Sequence, residues 1–269
     1  MSERISVSIV DGIADVRMVR AEKMNALDEA MFTALVETGE KLKADNSLRA
    51  IILSGEGRAF CAGLDTSNFA RMREREIPSN GGAINRSLST RTHGIANRAQ
   101  YAVWVWREMP VPVIAAVHGV AFGGGFQIAL GADIRYVAPG TRMSVMEAKW
   151  GLVPDMSGMA IMRRLAREDI VKELTYTARI FTAEEALAYG FATRLCDNPK
   201  EEAMATAREI ALKNPAAIRA VKRIINGYSD ADAGPILLAE STEQATIIGS
   251  PNQVEAVTAQ MEKRPPRFR

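Results

Sequence analysis

Val117-His118-Gly119-Val120-Ala121-Phe122-Gly123-Gly124-Gly125-Phe126-Gln127 joins an apolar, strand-like run at 113–117 to a helix-like pattern through a glycine loop. Glycine has no side chain, so such a loop turns sharply and lets a ligand reach the backbone. The helix that follows leaves its first N–H groups unpaired, with the positive end of its dipole facing the same space. A phosphate, or an oxygen that becomes negative during a reaction, suits that place. Gln127, one turn into the helix, is an amide and not an acid.

Outward from this stretch, strands alternate with helices. Residues 5–10 and 13–19 alternate apolar and polar around Asp11-Gly12, a hairpin signal. Asp28 is placed to cap a helix running to about Lys43, with Met31, Leu35 and Leu42 near one face. Residues 50–53 read as a short buried strand, 95–108 as a helix stopped by Met109-Pro110, 124–130 as a helix and 134–137 as a strand. The pattern predicts an α/β layered fold. From about Met156 it becomes mainly helical, with a capping box at Thr182-Ala183-Glu184-Glu185, Pro215 opening a helix at 216–225, and helices at 235–248 and 252–262. The charged segment 71–80 before Gly81-Gly82 reads as a solvated loop. No fixed-period repeat emerges.

Composition narrows the function classes. With 34 Lys and Arg against 32 Asp and Glu, the net charge of +2 gives no bulk attraction to nucleic acid or membrane. Cys61 and Cys196 form neither a disulfide framework nor a metal-ligand spacing, so no metal site is expected. Met1-Ser2-Glu3-Arg4-Ile5 lacks the apolar core of a signal peptide, and no apolar run approaches the roughly 20 residues of a membrane span. The expected location is cytoplasmic. The glycine run fits neither G-x-G-x-x-G nor the P-loop, which excludes nucleotide-redox and ATPase readings.

A second loop is built like the first. Arg58-Ala59-Phe60-Cys61-Ala62-Gly63-Leu64-Asp65 follows the strand ending at Leu53, as residues 118–125 follow the strand ending at Val117. Each can present a backbone N–H at a strand end, and two such groups converging make an oxyanion hole. Together with Lys23-Met24-Asn25-Ala26-Leu27 and Gly151-Leu152-Val153-Pro154, these loops resemble the crotonase (enoyl-CoA hydratase/isomerase) superfamily over nearly the whole chain.

The resemblance implies an α/β fold, a crotonase-like ββα spiral core at 1–195 that binds acyl-CoA, with a helical C-terminal region at 196–269 serving packing and trimerisation. Homotrimers, or trimers paired as hexamers, are the implied assembly. The implied partner is an acyl-CoA thioester, with no nucleic acid and no membrane; no separate cofactor is expected, CoA entering as part of the substrate. Leu64 and Gly124 would supply the two N–H donors to the thioester oxygen. CoA would lie against Lys23, Ala26, Ala62 and Leu64, with Lys263 reaching its phosphates, often from a neighbouring subunit. A solvated charge at a helix end is the other reading of Lys263.

The carboxylates decide the chemistry. The hydratases of the family hold a water between two glutamates; the first position matches Gln127 and the second Glu147. Glutamine binds water but cannot exchange a proton near neutral pH. One remaining carboxylate can still take a proton from one carbon and return it to another. Burial would lift Glu147 toward the working pH; a surface pair with Lys149 or Arg142 is the plainer alternative. Asp155 matches a carboxylate of the dienoyl-CoA isomerases, whose further aspartate falls at Gln127. Asp155 reads equally as an N-cap for the helix near Met156.

Double-bond isomerisation by Glu147, assisted by Asp155, is the leading expectation. Hydration with Gln127 positioning water, and a non-catalytic acyl-CoA or RNA binder, are the alternatives. Hydrolase, decarboxylase and carbon–carbon lyase chemistry share the same hole. His118 reads as a turn histidine before it reads as a base. His93 shows no partner in the sequence. Cys61 has no adjacent activator. Trp104 and Trp106 suit core packing more than the acyl pocket.

Overall fold

The computed structural model describes residues 4–68 and 88–268. The charged segment at 71–80, read above as a solvated loop, and Gly81-Gly82 lie outside the described residues.

Strands β1 (Ile5–Val10) and β2 (Ile13–Met18) pair antiparallel across the turn Asp11-Gly12. Both turn residues have positive φ, 52° and 75°, the geometry of a two-residue hairpin that matches strand twist. β2 then pairs in parallel with β3 (Ala50–Gly55), β3 with β4 (Val113–Val117), β4 with β6 (Ile134–Val137), and β6 with β9 (Arg194–Leu195). The result is a six-stranded sheet in the order β1-β2-β3-β4-β6-β9. A small second sheet, β5-β7-β8, contains β5 (Val120–Phe122), β7 (Arg142–Ser144) and β8 (Phe181–Thr182).

The central strands are buried on both faces, and their side chains alternate between two cores. Ile51, Leu53, Val113, Ala115 and Val117 enter the larger core, which also takes Leu27, Leu35, Trp104, Trp106 and Phe126. Ala50, Ile52, Ile114, Ala116 and Tyr136 face the other way, onto Ala203 and Ala207 of the helix Pro199–Ala211. The first helix after residue 196 is thus packed directly on the sheet.

Helix α1 (Glu29–Lys43) begins where the Asp28 side chain accepts from Met31 N–H, and α2 (Arg98–Arg107) begins at a capping box of Asn97 and Gln100. Its expected start was residue 95; polar Asn97 diverts the chain into the cap and sets the boundary. α3 (Gly124–Gly131) follows the glycine run directly. After a short turn at Glu147–Trp150 come α4 (Gly158–Leu165), α5 (Glu168–Thr177) and α6 (Ala183–Tyr189), the last capped by Thr182 and Glu185 as the sequence predicts. The C-terminal part holds α7 (Pro199–Ala211), α8 (Pro215–Ser229), α9 (Ala233–Ile247) and α10 (Pro251–Glu262). The helical reading after residue 156 missed β8 and β9, each only two residues long and set by partners distant in sequence.

Candidate active site

The two glycine-bearing loops are zipped together by backbone hydrogen bonds. Phe60 N–H donates to His118 O at 2.9 Å, Cys61 N–H to Val120 O at 3.1 Å, and Phe122 N–H to Cys61 O at 3.1 Å. Beyond this seam the backbones remain in contact. A Cβ on Gly63, whose φ is +85°, would lie 2.5 Å from Phe122 O and 3.7 Å from Gly124 N. No residue but glycine fits there without moving the other loop.

Each loop leaves one amide to spare. Leu27 N–H donates to Gly63 O at 2.8 Å and Asp65 N–H to Leu27 O at 3.0 Å, so Leu27 bonds the residues on either side of Leu64. Leu64 N–H therefore turns away from Leu27, as alternate residues of a ladder do. Gly124 is the first residue of α3, where the N–H has no partner within the helix. Among the described residues neither amide has an acceptor.

Asn25 organises this region, a role the motif 23–27 hinted at without assigning. Fully buried at φ 55°, it donates through Nδ2 to Glu56 O, Ala59 O and Phe60 O at 3.0, 2.9 and 3.1 Å. Its Oδ1 accepts from Arg20 N–H at 2.9 Å. Arg20 in turn pairs with Asp65 at 2.6 Å, closing the far end of the loop. Ala62 N–H donates to Met24 O at 2.9 Å, so the segment bearing exposed Lys23 and buried Ala26 lies along Ala62 and Leu64. Lys263 is exposed as the left-handed C-cap of α10.

Glu147 opens the short turn after β7 with its carboxylate against the glycine run; a Cβ on Gly123 would be 3.2 Å from Oε1. Gln127 Nε2 donates to Oε1 at 2.6 Å. Oε2 is shut off from solvent, and no described group donates to it. Burial pushes the carboxyl up to about 7; its own amide and Gln127 pull it back, and the charge of Asp155 pushes it further up. Among the described residues Glu147 makes no ion pair with Lys149 or Arg142.

Asp155 faces the same low-dielectric region, and burial raises it to about 7 as well, against its own amide and a hydrogen bond from Gln244. It is not the N-cap of α4. That position belongs to Ser157, held at φ 69° with no side-chain cap bond. The helix start is capped from outside: Gln127 Oε1 accepts from Met156 N–H at 3.0 Å and Gly158 N–H at 2.8 Å. Glu240 of α9 accepts from Ser157, Met159 and Ala160 N–H at 3.0, 3.0 and 3.4 Å. Sequence reading passed over Glu240 and Gln244, which lie in the polar run 240–244 and read there as part of a solvated helix face.

The weaker candidates resolve as structural groups. His118 Nε2 meets Gly57 O at 2.9 Å in a turn. His93 stacks on Tyr101 with ring centroids 4.4 Å apart, a partner invisible in the sequence. Burial pushes the Cys61 thiol up to about 12, and its Sγ donates to Asn25 O, so it is no nucleophile. Trp104 and Trp106 are core residues.

Residues 8–269 match the enoyl-CoA hydratase/isomerase family. The chain belongs to it. Among relatives, mouse mitochondrial methylglutaconyl-CoA hydratase is 31% identical over 265 residues, covering 96% of this chain and 80% of that protein. The mouse mitochondrial Delta(3,5)-Delta(2,4)-dienoyl-CoA isomerase is 29% identical, with coverage of 94% and 77%. An enoyl-CoA hydratase/isomerase of Mycobacterium paratuberculosis superposes with a TM-score of 0.84 at 24% identity, covering 96% of this chain and 98% of its own. The crotonase fold expected from the loops is therefore the fold present, and the protein is an acyl-CoA enzyme of the hydratase/isomerase family. No helix among the described residues is long and apolar enough to cross a membrane.

Proposed function

We propose that this enzyme moves a carbon–carbon double bond along an enoyl- or dienoyl-CoA thioester. The observation that carries the reading is the paired state of Gln127. Both lone pairs of its carbonyl oxygen are taken by Met156 and Gly158 N–H, and its amide is turned onto Glu147. It has no acceptor left for a water and no proton to exchange. The proton work falls to Glu147.

The thioester oxygen sits between Leu64 N–H and Gly124 N–H, which polarise the carbonyl and acidify the adjacent carbon. Ionised Glu147 accepts the α proton, the C–H electron pair moves into the conjugated system, and the enolate charge rests on the thioester oxygen. Two donors aimed at that oxygen stabilise it more than the ground-state carbonyl; losing one costs about 2.7–4 kcal/mol in known oxyanion holes. The proton returns at the γ carbon, regenerating the carbonyl and leaving the double bond shifted. Asp155, protonated while Glu147 is ionised, assists from the other side. CoA lies along Lys23, Ala26, Ala62 and Leu64, with Lys263 placed for a phosphate in the assembled oligomer.

Hydration is the second reading, favoured by the 31% identity to a relative named as a hydratase. Product analysis separates the two. Purified enzyme is offered β,γ-enoyl-CoA, a 3,5-dienoyl-CoA and crotonyl-CoA, and the products are resolved by chromatography. Isomer formation that outpaces 3-hydroxyacyl-CoA formation is the expected result; the reverse overturns the isomerase assignment.

A further inference from the structure

Residues 153–160 carry Asp155 and are gripped from two sides. From the spiral core, Gln127 Oε1 holds Met156 and Gly158 N–H. From the C-terminal helix α9, Glu240 Oε2 holds Ser157 N–H, and Oε1 holds Met159 and Ala160 N–H. One turn further along α9, Gln244 Oε1 accepts from Val153 N–H at 2.9 Å, and the same side chain pulls the Asp155 carboxyl down against its burial. Glu240 and Gln244 thus bracket Asp155 from one helix face.

The grip is itself braced. Gln100 Nε2 donates to Glu240 Oε2 at 3.1 Å and to Leu237 O at 2.7 Å. Gln100 Oε1 is occupied by Asn97 N–H and by Arg91, both at 3.0 Å, which fixes the amide's orientation. Arg91 also reaches Ser241 of α9 at 2.9 Å. A buried carboxyl on the N-terminal amides of a helix suits the open N–H groups; burial pushes Glu240 up to about 8, while the hydrogen bonds from Gln100 and from the Ser157 and Ala160 amides favour its ionised form. Its position is odd in one respect: the cap of α4 comes from a helix some eighty residues later, while the side chain of Ser157 bonds Gln100 O instead.

We infer that Glu240 is a positioning residue, which holds the start of α4 from the C-terminal helix and so fixes Asp155 opposite Glu147. This rests on the proposed roles of those two carboxylates. It makes α9 part of the active-site frame, beyond any part it has in packing. A displacement of about 1 Å at a reacting group can cost about 10²-fold in rate, so the brace is expected to act on turnover and not on CoA binding.

The test uses the full chain with Glu240→Gln and, as an independent lever on the same bracket, Gln244→Leu. Glu240→Gln replaces one acceptor oxygen by an N–H donor facing backbone N–H groups. Expected is faster amide hydrogen exchange at Ser157, Met159 and Ala160, with kcat for β,γ-enoyl-CoA down by about tenfold or more and KM within about twofold. Gln244→Leu is expected to lower kcat with the same unmoved KM. Unchanged exchange at the three amides, unchanged kcat in a folded variant, or a loss carried by KM overturns the inference. If neither the wild type nor the variants isomerise any enoyl-CoA, the isomerase reading falls, and the exchange measurement still decides whether Glu240 holds the segment.

Discussion

Gln127 Nε2 stands 2.6 Å from Glu147 Oε1, while Gln127 Oε1 accepts from the amides of Met156 and Gly158. A single buried side chain therefore links the carboxylate at the glycine loops to the start of the helix beyond Asp155. An acid at this position could serve both sets of bonds only while protonated, its O–H turned onto Glu147, and would set two carboxyls in contact. Glutamine does both jobs without charge.

Gln127→Glu tests that relationship. Two carboxyls at this spacing cannot both ionise at low cost, so they share a proton and Glu147 becomes a poorer base. Isomerisation at pH 7 is expected to fall by about tenfold or more, with no compensating gain in hydration. Initial rates with β,γ-enoyl-CoA and crotonyl-CoA check this. A variant that hydrates faster than the wild type isomerises would support the hydratase reading instead.

The pH profile of kcat/KM follows from two acids both raised to about 7. They are neighbours, so the steps belong to the pair and separate to either side of that value. The active form is the singly protonated pair, which predicts a bell with its maximum near neutrality. In Asp155→Asn the neighbour whose ionisation closes the bell on the alkaline side is gone. The acid limb, set by Glu147 beside an uncharged neighbour in both proteins, should stay nearly in place while the alkaline limb vanishes, with a lower maximum. An alkaline limb that survives in the variant would contradict the coupling.

Stability carries the opposite sign. Glu147 has a folded pKa of about 7 against an ordinary 4.5. A raised carboxyl contributes stability that is full below the unfolded value and lost as pH rises through the folded one. Glu147→Gln removes that loss. The fall in Tm between pH 5 and pH 8 should be smaller in the variant than in the wild type, measured by calorimetry. An equal or larger fall means Glu147 is not buried as described.

Gly63→Ala strikes the seam between the loops. The added Cβ meets Phe122 O at 2.5 Å at a residue with φ +85°, so the loop carrying Gly124 has to move. Backbone strain of this kind costs about 1–3 kcal/mol, and parting the two amides should lower kcat by about 10²–10³-fold. Tm and kcat measured together separate the two effects. Full activity in a folded variant would mean that the loops do not act jointly.

Much of this was legible because it is local. Asp28, Thr182 and Pro215 each mark a helix start by their own chemistry, and each helix begins there. The paired glycine loops announced close backbone approach, and Gly63 against Phe122 is that approach. What stayed hidden depends on partners far along the chain. Asp155 looked as much like a cap as an acid until Gln127 and Glu240 were found on the amides it would have capped. Glu240 lies some eighty residues from Met159, and nothing in its own neighbourhood names that partner. The stacking of His93 on Tyr101 and the two-residue strands β8 and β9 escaped for the same reason.

The central claim is that Glu147 moves the proton. Turnover of β,γ-enoyl-CoA to the conjugated thioester by wild type and Glu147→Gln, with binding of a saturated acyl-CoA as the control for an intact site, tests it most directly. The variant should bind the saturated thioester as the wild type does, while isomerisation drops by about 10²–10⁴-fold. Undiminished isomerisation by Glu147→Gln would contradict the account.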